Sequence, residues 1–346
     1  MSNKPPIEVP QGAIRLNTDS QKLEFFAQDR WYEMATDISS TATTSTRGIV
    51  AMDEQPSPND VIEYHSMTTA GNAVDFGDLL DGVGAAGFFS SATRAIRVGG
   101  VTSYPGTFTN RIDFITIATA GDATEYGDLA STTRRGLMSG GNATRGIVAG
   151  GGSPTYLATQ TLIDFVTIDS LGNTSSFGDL SSASSLNGSS QIGNATRGIL
   201  APIGSNSPSK QNRIDYITIA TTGDSTDFGD LTTDAIQNTM NASNPTRGII
   251  AGGYDPSPGV ELNTIDVITI ATLGNASDFG DMNDGTNESS AASSPIRGAF
   301  VTGSSNSHDH IETIEFATGG NNGEFGDLTQ NRNHNCSVSN CHGGLG

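Results

Sequence analysis

Residues Arg213–Leu231 read RIDYITIATTGDSTDFGDL. An apolar run, Ile214 to Ile219, is followed by the turn pair Gly223-Asp224 and by a short segment ending Phe228-Gly229-Asp230-Leu231. Alone, the stretch predicts two antiparallel strands joined by a turn. Its ending returns as Phe76-Gly77-Asp78-Leu79, Tyr126-Gly127-Asp128-Leu129, Phe177-Gly178-Asp179-Leu180, Phe279-Gly280-Asp281-Met282 and Phe325-Gly326-Asp327-Leu328. The central glycines lie 50, 51, 51, 51 and 46 residues apart, so the chain is an internal repeat.

A second marker precedes each copy: Thr46-Arg47-Gly48-Ile49-Val50, Thr93-Arg94, Thr144-Arg145-Gly146, Thr196-Arg197-Gly198, Thr246-Arg247-Gly248 and Ile296-Arg297-Gly298. Several copies run on into a glycine pair, as at Gly150-Gly151 and Gly252-Gly253. Each unit is therefore a strand ending near Gly-Gly, a variable polar loop, a strand of the IDYITI kind, a Gly-Asx turn and a strand ending FGDL. A weaker Ser/Asn/Ala-rich segment leads into the next unit.

Six units run from about Ile38 to Leu328. Residues 1–11 are proline-rich and polar and predict an extended arm. Residues 12–35 align as a divergent copy with shortened loops: Gly12–Leu16, Lys22–Phe26 and Arg30–Met34 supply three strands. The closing segment 331–346 supplies one more. Repeats of four short strands closed between the termini describe an all-β propeller. Seven blades are expected, with residues 12–35 closed by 331–346, so that the propeller spans 12–346. Six blades, with a separate N-terminal β module, is the alternative. A linear β-solenoid fits less well, since its ends would need caps and these termini look complementary.

Composition narrows the function. The net charge of −20 repels phosphate backbones and argues against nucleic acid. No apolar run is long enough for membrane insertion, and MSNKPPIEVPQG lacks the apolar core of a signal peptide. Cys336 and Cys341, with His334 and His342, form H-x-C-x4-C-H. Such residues can ligate zinc, but the spacing fits no finger pattern; two ordinary thiols are expected, with a zinc site or a local disulfide as alternatives. No metal and no cofactor is expected, and no calcium loop of the D-x-[DN]-x-[DN]-G kind occurs. No nucleophile motif, phosphate loop or zinc-protease helix occurs either, which predicts a protein that is not an enzyme.

The units resemble kelch repeats: an apolar strand ending in Gly-Gly, a variable loop, an Ile-Asp-Tyr strand, and an aromatic about a dozen residues on. Leu23-Glu24-Phe25 followed by Trp31 lies nearest to that pattern; the other units carry Phe or Tyr in the Trp slot. A more specific similarity is to bacteriophage tail-fibre and tail-associated proteins. It is carried by Gly12–Thr18 continuing through Lys22-Leu23-Glu24 to Trp31, and by the TRGIVAGG and IDYITIAT-GD-FGDL units. The resemblance implies a structural virion component, made in the host cytoplasm, whose partners are other virion proteins and a glycan or protein of the host surface. Capsid decoration and a soluble kelch-type interaction module are the alternatives. A homo-oligomer is compatible with a fibre-associated role, although the chain encodes no coiled coil.

Charges that return in every unit predict structural devices. These are Arg47, Arg94, Arg145, Arg197, Arg247 and Arg297; a first acid slot, Glu63, Asp113, Asp164, Asp215, Asp266 and Glu312; and a second, Asp78, Asp128, Asp179, Asp230, Asp281 and Asp327. The recurring aromatics from Phe76 to Phe325 predict core between blades. Binding is expected in the variable loops, at Tyr104, Tyr156 and Tyr254 from three neighbouring blades and at His308 and His310.

Overall fold

The computed structural model describes residues 13–17, 22–27, 30–33, 46–53, 57–103, 106–152, 159–184, 192–203, 212–233, 238–255, 258–302 and 309–345. The chain divides into two units, Met1–Ser45 and Thr46–Gly346.

In the first unit Ile14–Asn17, Lys22–Ala27 and Arg30–Glu33 form a three-stranded antiparallel sheet. Arg15 Nε donates to Glu24 Oε2 at 2.7 Å, and its guanidinium lies 4.1 Å over the Trp31 ring, which also meets Phe26 edge-to-face. The predicted arm, residues 1–11, lies outside the described residues.

The second unit is a six-bladed propeller. Blade 1 is Cys336–Ser339, Arg47–Ala51, Asn59–Ser66 and Val74–Val83, from the inner to the outer strand. Blade 2 is Gly87–Ser90, Arg94–Val98, Arg111–Thr116 and Thr124–Asp128. Blade 3 is Met138–Gly141, Arg145–Ala149, Gln160–Thr167 and Ser175–Ser184. Blade 4 is Ile192–Gly193, Arg197–Ile203, Arg213–Thr218 and Thr226–Asp230. Blade 5 is Met240–Ser243, Arg247–Ala251, Thr264–Thr269 and Ser277–Asp281. Blade 6 is Ser290–Ser293, Arg297–Val301, His310–Glu315 and Gly323–Asp327.

The expected seventh blade does not form, and the six-blade alternative holds. The closing strand pairs with Arg47–Ala51, Val338 opposite Ile49 and Ser337 opposite Val50, rather than with residues 12–35. The reason is packing. Cys336 and Val338 both sink into the core shared with Ile49, Ala51 and Met52, so the C-terminal strand fills the inner place of the first repeat.

Every blade carries the same bulge. The register between the third and outer strands skips one residue: Ile214 faces Gly229 and Asp215 faces Asp227, which leaves Phe228 as the extra residue. The same skip falls at Phe76, Tyr126, Phe177, Phe279 and Phe325. A bulge re-aims a side chain against the alternation of the strand. Here it turns the aromatic into the seam with the next blade. Phe228 packs on Ile250, Ile268 and Ile270 of blade 5, and Phe325 on Val50, Met67 and Ala73 of blade 1. The core is thus six seams rather than one centre.

The axis is closed by small residues. Inner strands touch through serine hydroxyls: Ser139 Oγ bonds the Phe88 backbone, Ser243 Oγ bonds that of Gly193, and Ser90 Oγ donates to the Ser339 carbonyl at 2.7 Å. The C-terminal turn Gly343–Leu345 then crosses the end of the axis, where a Cβ on Gly344 would stand 2.2 Å from the Gly141 carbonyl oxygen. Gly344 N–H donates to His342 Nδ1, so Nε2 carries the proton and donates to the Ser90 carbonyl at 2.8 Å. Burial pushes the His342 pKa down to about 4.

Candidate binding surface

The propeller has a hairpin face, where third and outer strands turn, and a loop face, where second and third strands connect. The repeated residues gather in the seams and toward the hairpin face.

The FGD and Gly-Asx motifs are the two halves of one latch. At the seam of blades 3 and 4, Gly223 N–H donates to the Phe177 carbonyl (2.8 Å), Ser225 N–H to the Asp179 carbonyl (2.9 Å), and Asp179 N–H to Asp224 Oδ1 (3.0 Å). A Cβ on Gly178 would stand 2.3 Å from the Gly223 carbonyl oxygen, so the backbones meet only because this residue is glycine. The latch repeats from blade 6 to blade 1 through Gly71, Ala73 and Asn72, which closes the propeller. Asp78, Asp128, Asp179, Asp230 and Asp327 therefore serve the latch mainly through their backbone groups. Burial, then the carboxylates of Asp60, Asp122 and Asp75, hold the Asp78 carboxyl above its usual range.

The repeated arginines bridge the same seams. Arg47 donates to the Ile117 carbonyl of blade 2 (2.7 Å), Arg94 to Ile168 of blade 3 (2.8 Å), Arg145 to Ile219 of blade 4 (2.9 Å), Arg197 to Ile270 of blade 5 (2.8 Å), and Arg247 to Phe316 of blade 6 (2.5 Å). The first four also stack on an aromatic of their own blade, Tyr64, Phe114, Phe165 and Tyr216, at 4.7, 4.7, 4.7 and 4.9 Å from the centroid. Arg297 pairs with Glu315 at 2.8 Å and lies 5.4 Å over the ring of Phe325.

The first acid is buried in five blades, and Glu312 of blade 6 is half-buried. Glu63 meets Arg332, Asp113 meets Arg97, and Asp164 meets Arg134, all deep in the structure. Asp215 accepts from Ser181, Ser225 and Arg213; burial pushes its carboxyl up, but these hydrogen bonds outweigh it and hold the pKa below the usual range. Asp266 has only Thr232, through its N–H (2.9 Å) and hydroxyl (2.6 Å), and burial holds its pKa above the usual range. Sequence reasoning left these partners unassigned. Arg332 and Arg134 follow the FGDL of the preceding blade and so reach across the seam, a pairing that strand order alone hides.

On the loop face, Tyr104, Tyr156 and His308 lie outside the described residues. Tyr254 stands half-buried in a ribbon, Tyr254–Asp255 paired with Val260–Glu261, at blade 5. Blade 2 carries a similar ribbon, Val101–Ser103 with Thr107–Phe108. Tyr254 does not come from a blade neighbouring those of Tyr104 and Tyr156: blade 5 stands three places from blade 2 in a six-membered propeller. His310 opens the third strand of blade 6, and its Nδ1 lies 3.1 Å from Asp327 Oδ1, with Asp309 beside it. Among the described residues these three are the one group whose donor atoms, all within 4.8 Å of one another, could hold a metal ion; the His310–Asp327 pair is open to solvent on both sides.

Cys336 and Cys341 are free thiols. Burial raises their pKa values to about 12 and about 11. Each points its sulfur at a carbonyl, Ala86 for Cys336 (3.3 Å) and Ser293 for Cys341 (3.4 Å), as packing groups of the axis. No helix among the described residues is long and apolar enough to cross a membrane.

The chain matches no known protein-family model and no curated protein sequence.

Proposed function

We propose that this protein is a non-catalytic binding scaffold of a phage virion, carried on the tail or its fibres, whose loop face contacts a host-surface glycan or protein or a neighbouring virion protein. One observation carries the reading: the repeated charged residues are absorbed by seams, while the connections between second and third strands differ from blade to blade. A rigid propeller with individual loops is a display device. The six-bladed fold is consistent with a protein-interaction module, and the virion setting rests on the similarity of the repeats to tail-fibre proteins.

Gold-conjugated antibody on intact virions from the producing cells tests the setting. Label on the tail or its appendages supports it. Label on the head leaves capsid decoration, and its absence, with no peptides of the chain in virion digests, overturns the virion reading and leaves an interaction module.

A further inference from the structure

The seam of blades 5 and 6 combines three features that no other seam combines, all on the hairpin face and away from the loops. The aromatic that stacks under the repeated arginine in blades 1 to 4 is Val267 in blade 5 and Thr313 in blade 6; Arg297 of blade 6 lies over the Phe325 ring instead, whereas among the described residues no aromatic ring lies over Arg247. The turn residue that is Leu171 in blade 3 and Leu273 in blade 5 is Gly319 in blade 6. The latch keeps one of its three bonds among the described residues, Gly320 N–H to the Phe279 carbonyl at 3.1 Å. Where both side chains shrink, a cavity of about 500 Å³ opens, lined by Arg247, Val267, Leu273, Asp278, Phe279 and Gly319. A smaller space, about 140 Å³, lies between Phe177 and the blade 4 hairpin beside Tyr216. Phe279 is part-exposed, whereas Phe76, Tyr126, Phe177 and Phe228 are buried.

We infer that this cavity is a binding site for an aromatic ring presented from outside, of the phenyl or phenol class found on Phe and Tyr side chains of a protein partner. The other blades display the geometry of the occupant. In blade 4, Tyr216 lies under Arg197 and meets Phe228 edge-to-face with centroids 6.2 Å apart. In blade 5 Arg247 and Phe279 hold the corresponding positions of the repeat and both line the cavity, and Val267 stands where the ring would be. An incoming ring gains cation–π attraction from Arg247, an edge contact with Phe279, and apolar contact with Val267 and Leu273. Asp278 at the rim disfavours a carboxylate on the ligand, which selects a neutral ring. The inference rests on the seam alone and stands whether or not the virion reading holds.

The test uses the full chain, methyl-labelled at Ile, Leu and Val, titrated with N-acetyl-L-tyrosinamide and, as control, N-acetyl-L-alaninamide. For so small a ligand, binding in the millimolar range is expected, so titration runs to about 20 mM. Saturable shifts of the Leu273 and Ile268 methyls are expected with the tyrosine compound only. Val267→Phe, which supplies the ring from within, should abolish them while preserving or raising the melting temperature. Gly319→Leu, which copies Leu273 of the neighbouring blade, should weaken them at least tenfold. Absence of saturable shifts at this seam, equal shifts at all six seams, or binding unchanged in a folded Val267→Phe protein would overturn the inference.

Discussion

On the hairpin face, a Gly-Asx turn seats against the Phe-Gly-Asp bulge of the blade before it, with near-identical distances at five of the six seams. On the loop face, the connections of blades 2 and 5 extend into ribbons, and the loops share no common sequence. The same strands feed both faces. The difference teaches what repetition means in this chain: a residue that returns in every unit is holding two blades together, and a residue that does not return is free to be individual. It also marks the seam of blades 5 and 6 as the place where the rule of the hairpin face is broken.

The comparison breaks most severely inside a seam. Asp113→Asn leaves the Arg97 guanidinium buried without its bidentate partner, and removal of one member of such a pair costs about 3–5 kcal/mol. Asp266→Asn, in the blade with no arginine at that slot, should cost about 1 kcal/mol or less, since Thr232 can bond an amide as well. Chemical denaturation of the two variants measures the contrast; equal losses would show that the ion pairs do not carry the seams.

Acid tests the closed axis. His342 has its folded-state pKa lowered from 6.5 to about 4 by burial, so the unfolded chain binds the extra proton first. Stability is complete above pH 6.5, falls as pH drops through the window between the two values, and is lost in full below about 4, by about 3 kcal/mol from this group. Protonation of Nδ1 also removes the bond from Gly344. His65 and His334, lowered to about 4 and about 3 by burial, add in the same direction. Stability measured at pH 7 and pH 4 should therefore differ less in His342→Gln than in the parent chain.

A smaller effect comes from a single latch. Gly127→Ala places a Cβ 2.3 Å from the Gly172 carbonyl oxygen, a backbone atom that cannot turn aside. Overpacking of this kind costs about 1–3 kcal/mol, read as a lower denaturation midpoint. Smallest of all, Tyr254→Ala on the loop face should change stability by less than about 0.5 kcal/mol. A large loss there would mean that the loop face is also structural.

Much of the fold is legible from spacing. The FGDL and Arg-Gly markers give the repeat and the apolar runs give the strands; closure is legible as a strand left over at the C-terminal end, but its partner is Arg47–Ala51 and not the strands of 12–35. Blade number is less legible, because three strands at one end and one at the other satisfy two countings. Only the burial of Cys336 and Val338 beside Ile49 decides between them. The bulge at Phe-Gly is signalled by a glycine inside a strand, yet its consequence, an aromatic aimed across the seam, requires the register. The partners of the buried acids were hidden for a similar reason: Arg134 lies 30 residues from Asp164 in sequence and in a different blade's crossover. At the candidate surface, the loops are visible as variability, but which side chains converge there is set by blade geometry, as the place of the Tyr254 ribbon, three blades from the Val101–Ser103 ribbon, illustrates.

The central claim is that the C-terminal strand belongs to blade 1, beside Arg47–Ala51. Paired cysteines test it most directly. In a Cys336→Ser, Cys341→Ser background, the pair Val50→Cys with Ser337→Cys joins cross-strand neighbours, whose Cβ atoms stand about 4.5–5.5 Å apart in such a ladder. The pair Leu23→Cys with Ser337→Cys joins the strand to residues 12–35 instead. Six blades predict rapid oxidative cross-linking of the first pair. Cross-linking of the second pair with the first unreacted would contradict the six-bladed closure and restore the seventh blade.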